Sequence, residues 1–142
     1  MNLALTQARQ ANELGEVPVG AVVAIGNKVV AARHNECQRS NDPTAHAELL
    51  ALRDAAKALG TSRLNEAVLA TTLEPCAMCA GAAVLARIGR VIFATDDPKA
   101  GACGSLYNLG ADPRLNHNFE VTPGVGKQAA ANLLKNFFAA LR

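Results

Sequence analysis

A chain of 142 residues, half of them hydrophobic, has room for one domain with a sizeable core and is too apolar for a disordered segment. Aromatic residues make up only 4%, so the expected core is one of small side chains in close contact, and a net charge of +2 permits a nucleic-acid partner without arguing for one. The first residues lack the pattern of a secretory signal and no apolar run reaches membrane-spanning length, so a cytoplasmic protein with no membrane partner and reduced thiols is expected.

In chain order, Leu3 to Leu14 predicts a helix closed by Gly15. The β-branched runs 19–25 and 28–33 flank Gly26-Asn27 and predict a hairpin. Residues 34–41 are polar and turn-forming and read as a loop. Asp42 then reads as the N-cap of a helix with Pro43 in its first turn; Leu49, Leu52, Ala56 and Leu59 recur at helical spacing and Gly60 ends it. A strand is expected over about 67–73. A helix beginning near Cys76 follows, carrying Met78, Ala82, Leu85 and Ala86 as far as Gly89, and then a strand over 90–94. The stretch 96–116 is a long Gly/Pro/Asn/Asp-rich loop, and a short strand is expected around 119–121. Thr122-Pro123 opens a last helix with Val125, Ala129, Leu133, Phe137 and Leu141 on one face. No repeat or linker interrupts the chain, so one domain over 1–142 is expected. The strand–helix–strand unit predicts a right-handed parallel crossover, and the whole order predicts an α/β fold of three layers, α-β-α, around a mixed five-stranded sheet.

Cysteines 76 and 79 follow Pro75 at a predicted helix start, so their sulfurs share one face in the positive field of the helix N-terminus. Alone, a Cys-x-x-Cys pair reads equally as a structural zinc knuckle or a redox pair. Upstream, His46 and Glu48 are two residues apart, which in mid-helix would point them apart; at a first turn His46 could ligate while Glu48 reaches the open side of the ion. Three ligands, His46, Cys76 and Cys79, with Glu48 spare make the composition of a catalytic site for one Zn²⁺, and the soft sulfurs favour zinc over magnesium or calcium. Cys37 and Cys103 read as plain small residues.

The conjunction His-x-Glu … Pro-Cys-x-x-Cys resembles the signature of the zinc nucleobase deaminases of the cytidine-deaminase-like superfamily. Gly15-Glu16-Val17-Pro18-Val19-Gly20-Ala21-Val22 is a further resembling segment, and Asp42-Pro43-Thr44-Ala45-His46-Ala47-Glu48 and Gly104-Ser105-Leu106 narrow the resemblance to bacterial tRNA-specific adenosine deaminases. That resemblance implies the cytidine-deaminase-like fold and hydrolytic conversion of wobble adenosine to inosine in a tRNA anticodon stem-loop. Zinc-bound hydroxide would attack C6 while Glu48 shuttles protons. It further implies a homodimer, hydrogen bonds from Asn35 and the backbone at Ala47 to the flipped base, a pocket wall of Pro18 and Val19, and Asp97 at a ribose hydroxyl. Lys99, Arg33, Arg39 and Arg63 are the candidate phosphate contacts; each also reads as a solubilising charge. Two rival readings share the motif: deamination of a free nucleobase or nucleoside (guanine, cytosine or cytidine), and a non-enzymatic zinc-stabilised RNA-binding domain. The latter would close its metal site with a fourth ligand.

Overall fold

The computed structural model describes residues 1–142. Its centre is the strand predicted over 67–73, because every other strand is placed by reference to it. The elements are α1 (Asn2–Glu13), β1 (Gly20–Ile25), β2 (Lys28–His34), α2 (Cys37–Ser40), α3 (Ala47–Leu59), β3 (Ala67–Leu73), α4 (Ala77–Leu85), β4 (Arg90–Thr95), β5 (Glu120–Pro123) and α5 (Lys127–Ala140). They form a five-stranded sheet in the order β2-β1-β3-β4-β5. The hairpin strand β1 runs antiparallel to β2 and β3, whereas β3, β4 and β5 are mutually parallel. Ile25 pairs with Lys28 across Gly26-Asn27, and Gly26 takes φ 56°, the left-handed turn conformation that suits the twist of a tight hairpin.

Helices α1 and α5 pack together on one face of the sheet, and α3 and α4 on the other, so the three-layer mixed sheet expected from the sequence is the one observed. Alternation along the strands divides the core accordingly. Leu69, Val91 and Phe93 face α3 and α4, while Ala94 meets Leu5 and Ala130 on the opposite side. Small residues let the layers approach. Ala4, Ala8 and Ala11 of α1 are fully buried, and a side chain at Gly20 would come within 2.1 Å of the Ala4 carbonyl oxygen. No helix is long and apolar enough to cross a membrane.

Several boundaries differ from expectation, each for a local reason. Helix α3 begins at Ala47, not Asp42. The Asp42 carboxylate accepts hydrogen bonds from the Thr44 amide (2.8 Å) and hydroxyl (2.6 Å), a local turn that competes with helix and delays it by one turn. Its buried face is Leu50, Ala51, Leu52 and Ala55; of the expected positions Leu52 is buried, Leu49 and Ala56 flank that face, and Leu59 is exposed. Within the expected 34–41 loop, residues 37–40 close a single helical turn. Helix α4 ends at Leu85, with Ala86 as its C-cap and Arg87 at φ 57°, and Leu85 points to solvent; Gly89 instead permits a close backbone crossing, since a side chain there would meet the Asn65 carbonyl at 3.0 Å. Thr122 and Pro123 belong to β5, so α5 starts later, at Lys127, with Gly126 as its cap; Ala130 is its buried residue, and Val125 and Leu141 are exposed.

The long stretch after β4 is held by one side chain that follows β3. The buried Glu74 carboxylate accepts from the amides of Asp97 (2.9 Å), Cys103 (3.0 Å) and Ser105 (3.0 Å) and from the Ser105 hydroxyl. Gly101 lies against it so closely that a side chain there would fall 2.3 Å from the Glu74 carboxyl carbon. Burial pushes the Glu74 carboxyl up, but the bonds from Ser105, Asp97 and Cys103 together outweigh it and hold the group below its ordinary range. A carboxyl lower when folded stabilises fully above the unfolded value of about 4.3, and that contribution is lost as pH falls through the folded value. Glu74→Gln is therefore expected to cost about 2–3 kcal/mol at neutral pH in a urea titration, the worth of charged hydrogen bonds. The difference between the two proteins should close in acid. An equal difference at about pH 3 and pH 7 would assign the effect to packing instead of charge.

Candidate active site

The N-termini of α3 and α4 meet beyond the end of β3, and the predicted ligands stand at those two caps. His46 is the N-cap of α3 with extended backbone (φ −71°, ψ 146°), so it stands just outside the helical turn that carries Glu48. Cys76 is the N-cap of α4 (φ −72°, ψ 175°), and Cys79 follows one turn later. The cap position thus resolves the two-residue spacing that mid-helix geometry forbids.

His46 Nδ1 lies 3.6 Å from the sulfur of Cys76 and 3.6 Å from that of Cys79. Zinc bonds of about 2.3 Å to sulfur and about 2.0 Å to nitrogen, opened to a tetrahedral angle, place such donors about 3.6 Å apart. The cluster therefore has the dimensions of a tetrahedral zinc site. It holds these three donors, all within 4.8 Å of one another, and no fourth His, Cys, Asp or Glu joins them. That is the donor count of a site with a position left for water or substrate.

The electrostatics suit a cation. The hydrogen bond with Cys79, together with His46 and against the effect of burial, drops the Cys76 thiol to about 3, while the same contact and burial push Cys79 up. The Cys76 sulfur is thereby favoured as thiolate, and a cation held by both sulfurs would displace the proton of Cys79. The contact with Cys76 raises His46 despite its burial. Burial raises Glu48 to about 7, partly opposed by its own backbone amide and by His46. A carboxyl poised there can both take and give a proton near neutrality.

Glu48 and His46 open into a cavity of about 220 Å³ whose walls also include Val17, Val19, Asn35, Cys76 and Asp97. Of the expected substrate contacts, Val19, Asn35 and Asp97 line it. Pro18 does not: it is fully buried, at the centre of a tight turn in which the Val19 amide donates to the Val17 carbonyl (2.8 Å), and its neighbours Val17 and Val19 form the wall instead. Ala47 is buried as the first residue of α3, a position whose amide has no acceptor within the helix. The Asp97 carboxylate caps the amides of Lys99 (3.0 Å) and Ala100 (3.2 Å) through Oδ1.

The basic residues are placed differently from one another. Lys99 is exposed on a second cleft, of about 350 Å³, which shares Val17, Leu73 and Asp97 with the first. The Arg39 side chain is exposed on α2. Arg33 is committed to Glu36 (2.8 Å) and Asp54 (2.6 Å), which neutralise it. Arg63 follows α3 and precedes β3, so it lies at the far end of a helix about 20 Å long from the His46 cap.

Cavity residues not anticipated include Cys37, Gln38, Leu73, Glu74 and Ala100. Behind the wall lies Glu16, fully buried, which accepts from Asn35 Nδ2 (3.1 Å) and the amides of Gln38 (3.2 Å) and Arg39 (2.7 Å). Its signal in the sequence is a lone carboxylate between Gly15 and the apolar run from Val17 to Ile25, where no solvated face is available.

Residues 1–142 match the family model of the MafB19-like deaminases. A tRNA-specific adenosine deaminase of Bacillus subtilis (strain 168) is 46% identical over 142 residues, all of this chain and 88% of that protein. A solved structure from a study of A-to-I editing by tRNA:A34 deaminases at the wobble position of transfer RNA superposes with a TM-score of 0.91 at 43% identity, covering 94% of this chain and 97% of that one. A guanine deaminase from Nitrosomonas europaea is more distant, with a TM-score of 0.80 at 27% identity over 97% of this chain and 82% of that one. By full-length identity, fold and the residues at the paired helix caps, the chain belongs to the tRNA-specific adenosine deaminases within the MafB19-like deaminase family.

Proposed function

We propose that this protein hydrolyses the exocyclic amine of adenosine at the wobble position of a tRNA anticodon stem-loop, yielding inosine and ammonia, with Glu48 as its catalytic acid and base. The observation that carries the reading is geometric: three donors spaced for tetrahedral zinc, with the buried Glu48 carboxyl opening into the same cavity. The full-length likeness to tRNA-specific adenosine deaminases supports the substrate.

His46, Cys76 and Cys79 would hold one zinc ion. When bound there, zinc supplies the Lewis acidity that brings a water's pKa to about 7. Glu48 receives the proton of the attacking water and passes it to N1 of adenine, which makes C6 electrophilic. Water oxygen adds to C6, and the same carboxyl carries a second proton to the exocyclic amine, which departs as ammonia. The Ala47 amide donates to the base at its reacting end, and Asn35 holds it at another edge. Val17 and Val19 flank the ring and limit water. Asp97, its Oδ1 occupied by the turn, presents Oδ2 to a ribose hydroxyl. Lys99 and Arg39 are the cations free to meet phosphate. A flipped anticodon base is recognised by fit and edge contacts, so a weak net charge is compatible with an RNA substrate.

Glu48→Gln should retain about one zinc per chain by elemental analysis while kcat falls at least 10²-fold, in keeping with general acid–base catalysis. Undiminished turnover in that variant with zinc bound would remove Glu48 from the mechanism. For the substrate, anticodon stem-loop RNA should accumulate inosine by sequencing, with free adenosine and guanine untouched under the same conditions. Rapid ammonia release from free guanine with inert RNA would assign the chain the activity of its more distant structural neighbour.

The site resides, on this reading, in a cytoplasmic homodimer. Helix α4 carries no charged residue over 77–85 and leaves Met78, Gly81, Ala82 and Leu85 partly or wholly exposed, with Leu106 and Tyr107 also exposed. Burial of such a stripe by a second copy is favourable. Sedimentation should report a dimer, and Leu85→Asp should yield a monomer with unchanged zinc content.

A further inference from the structure

The orientation of the Asn35 side chain decides what it can recognise, and two neighbours fix it. A carboxylate only accepts hydrogen bonds, so the Asn35 atom 3.1 Å from Glu16 Oε2 must be the amide nitrogen. On the other side, the Cys37 thiol donates to Asn35 Oδ1 at 3.2 Å. One hydrogen of Nδ2 is thereby spent on Glu16 and one lone pair of Oδ1 on Cys37. Left over are the second N–H of Nδ2, a donor, and one lone pair of Oδ1 on the Cys37 side; the end of the amide held beside Glu16 can offer the cavity only a donor.

Glu16 is able to enforce this because its other partners leave it no freedom. It is fully buried, behind the cavity wall, with Oε2 shared between Asn35 and the Gln38 amide and Oε1 taken by the Arg39 amide. All three groups are donors, and a carboxylate alone among side chains of this size accepts from them all. A glutamine has one acceptor oxygen and one amino group, so either the helical turn α2 or Asn35 must lose its bond. With the glutamine amino group toward Asn35, the asparagine amide turns over and offers its oxygen to the cavity.

We propose that Glu16 is a positioning residue for base selection: it locks Asn35 as a hydrogen-bond donor, so that the pocket requires an acceptor nitrogen on the non-reacting edge of a purine. This rests on the assignment of Asn35 as a base contact. Adenine offers two such acceptors, N7 and N3, once N1 is committed to Glu48. The chemistry is common to both, and replacement of each nitrogen by carbon separates them.

The test compares kcat/KM for the unmodified protein, Glu16→Gln and Asn35→Ala on stem-loops carrying adenosine, 7-deazaadenosine or 3-deazaadenosine at the wobble position. Any intrinsic change in C6 reactivity is common to the three proteins and cancels between them. One deaza substitution should cost the unmodified protein about tenfold more than it costs Asn35→Ala, the worth of one hydrogen bond. Glu16→Gln should show the same loss of sensitivity while remaining folded by circular dichroism. A purely structural Glu16 would lower all three rates by one common factor, and equal deaza sensitivity in Glu16→Gln and the unmodified protein overturns the proposal. Should Glu16→Gln fail to fold, Glu16→Asp, which keeps the acceptors but shortens their reach, is the second variant: an unaltered deaza ratio combined with a reduced overall rate also overturns it. Should the unmodified protein leave stem-loop adenosine intact, the substrate assignment fails by itself. The positioning claim is then decided by the affinities of the same proteins for purine riboside and its 7-deaza and 3-deaza forms, with equal affinity of all three ligands for the unmodified protein counting against it.

Discussion

The site depends on one constraint, the convergence of two helix N-termini at the end of a central strand. Helix α3 supplies His46 from its cap and α4 supplies Cys76 from its cap, so the 3.6 Å spacing of nitrogen and sulfur is set by how closely the two helices pack. Alanines at 47, 51, 80 and 83, all fully buried, keep that approach short. The same convergence brings the Cys79 side chain, His46 and the Cys79 amide to the Cys76 sulfur, and these contacts lower its thiol before any ion contributes. A larger residue at one of these alanines would separate the donors without touching any of them.

Two buried carboxylates transmit that rigidity to the cavity walls. Glu16 gathers Asn35 and the first amides of α2 on one side; Glu74 gathers the amides of Asp97, Cys103 and Ser105 on the other. Burying a charge is costly unless its lone pairs are filled, and here backbone amides fill most of them. The arrangement uses charge where a hydrophobic side chain would give equal stability but no orientation. Loops that contact a substrate are ordinarily the mobile part of a domain. Tying both to acceptors inside the fold gives them the precision of secondary structure.

The architecture was legible because its signals are local and repeated. The alternating runs around Gly26-Asn27, the Ala67–Leu73 strand and the glycine at the end of α3 specify hairpin, centre and stop without reference to distant residues. His46, Glu48, Cys76 and Cys79 were legible for a different reason: few functions other than metal chemistry require those residue types at those spacings. What failed was whatever depended on competition between a local and a helical hydrogen bond. Asp42 has the composition of an N-cap and spends its carboxylate on Thr44 instead, and Thr122-Pro123 reads as a helix start but extends the sheet beside β4. Glu16 and Glu74 stayed hidden because a buried carboxylate and a solvated one are the same letter. Only the converging amides distinguish them.

The same competition explains why charge was a poor guide to the partner. Arg33 looks like a phosphate contact in the sequence, yet Glu36 and Asp54 satisfy it within the fold, and Arg63 lies at the opposite end of α3 from the cavity. With those two arginines discounted, few cations surround the cavity, and a backbone-tracking mode of binding loses its main source of affinity. The burden passes to the pocket, where Val17, Val19, Asn35 and Glu48 enclose a volume suited to one base. A base must leave its stack to enter, and the cost of that is smallest in a loop whose bases are already splayed. On the proposed reading, a nearly neutral surface around a narrow pocket would select the shape of the RNA before its sequence. For the proposed substrate, the discriminating step is extrusion of one nucleotide and not attraction of the strand.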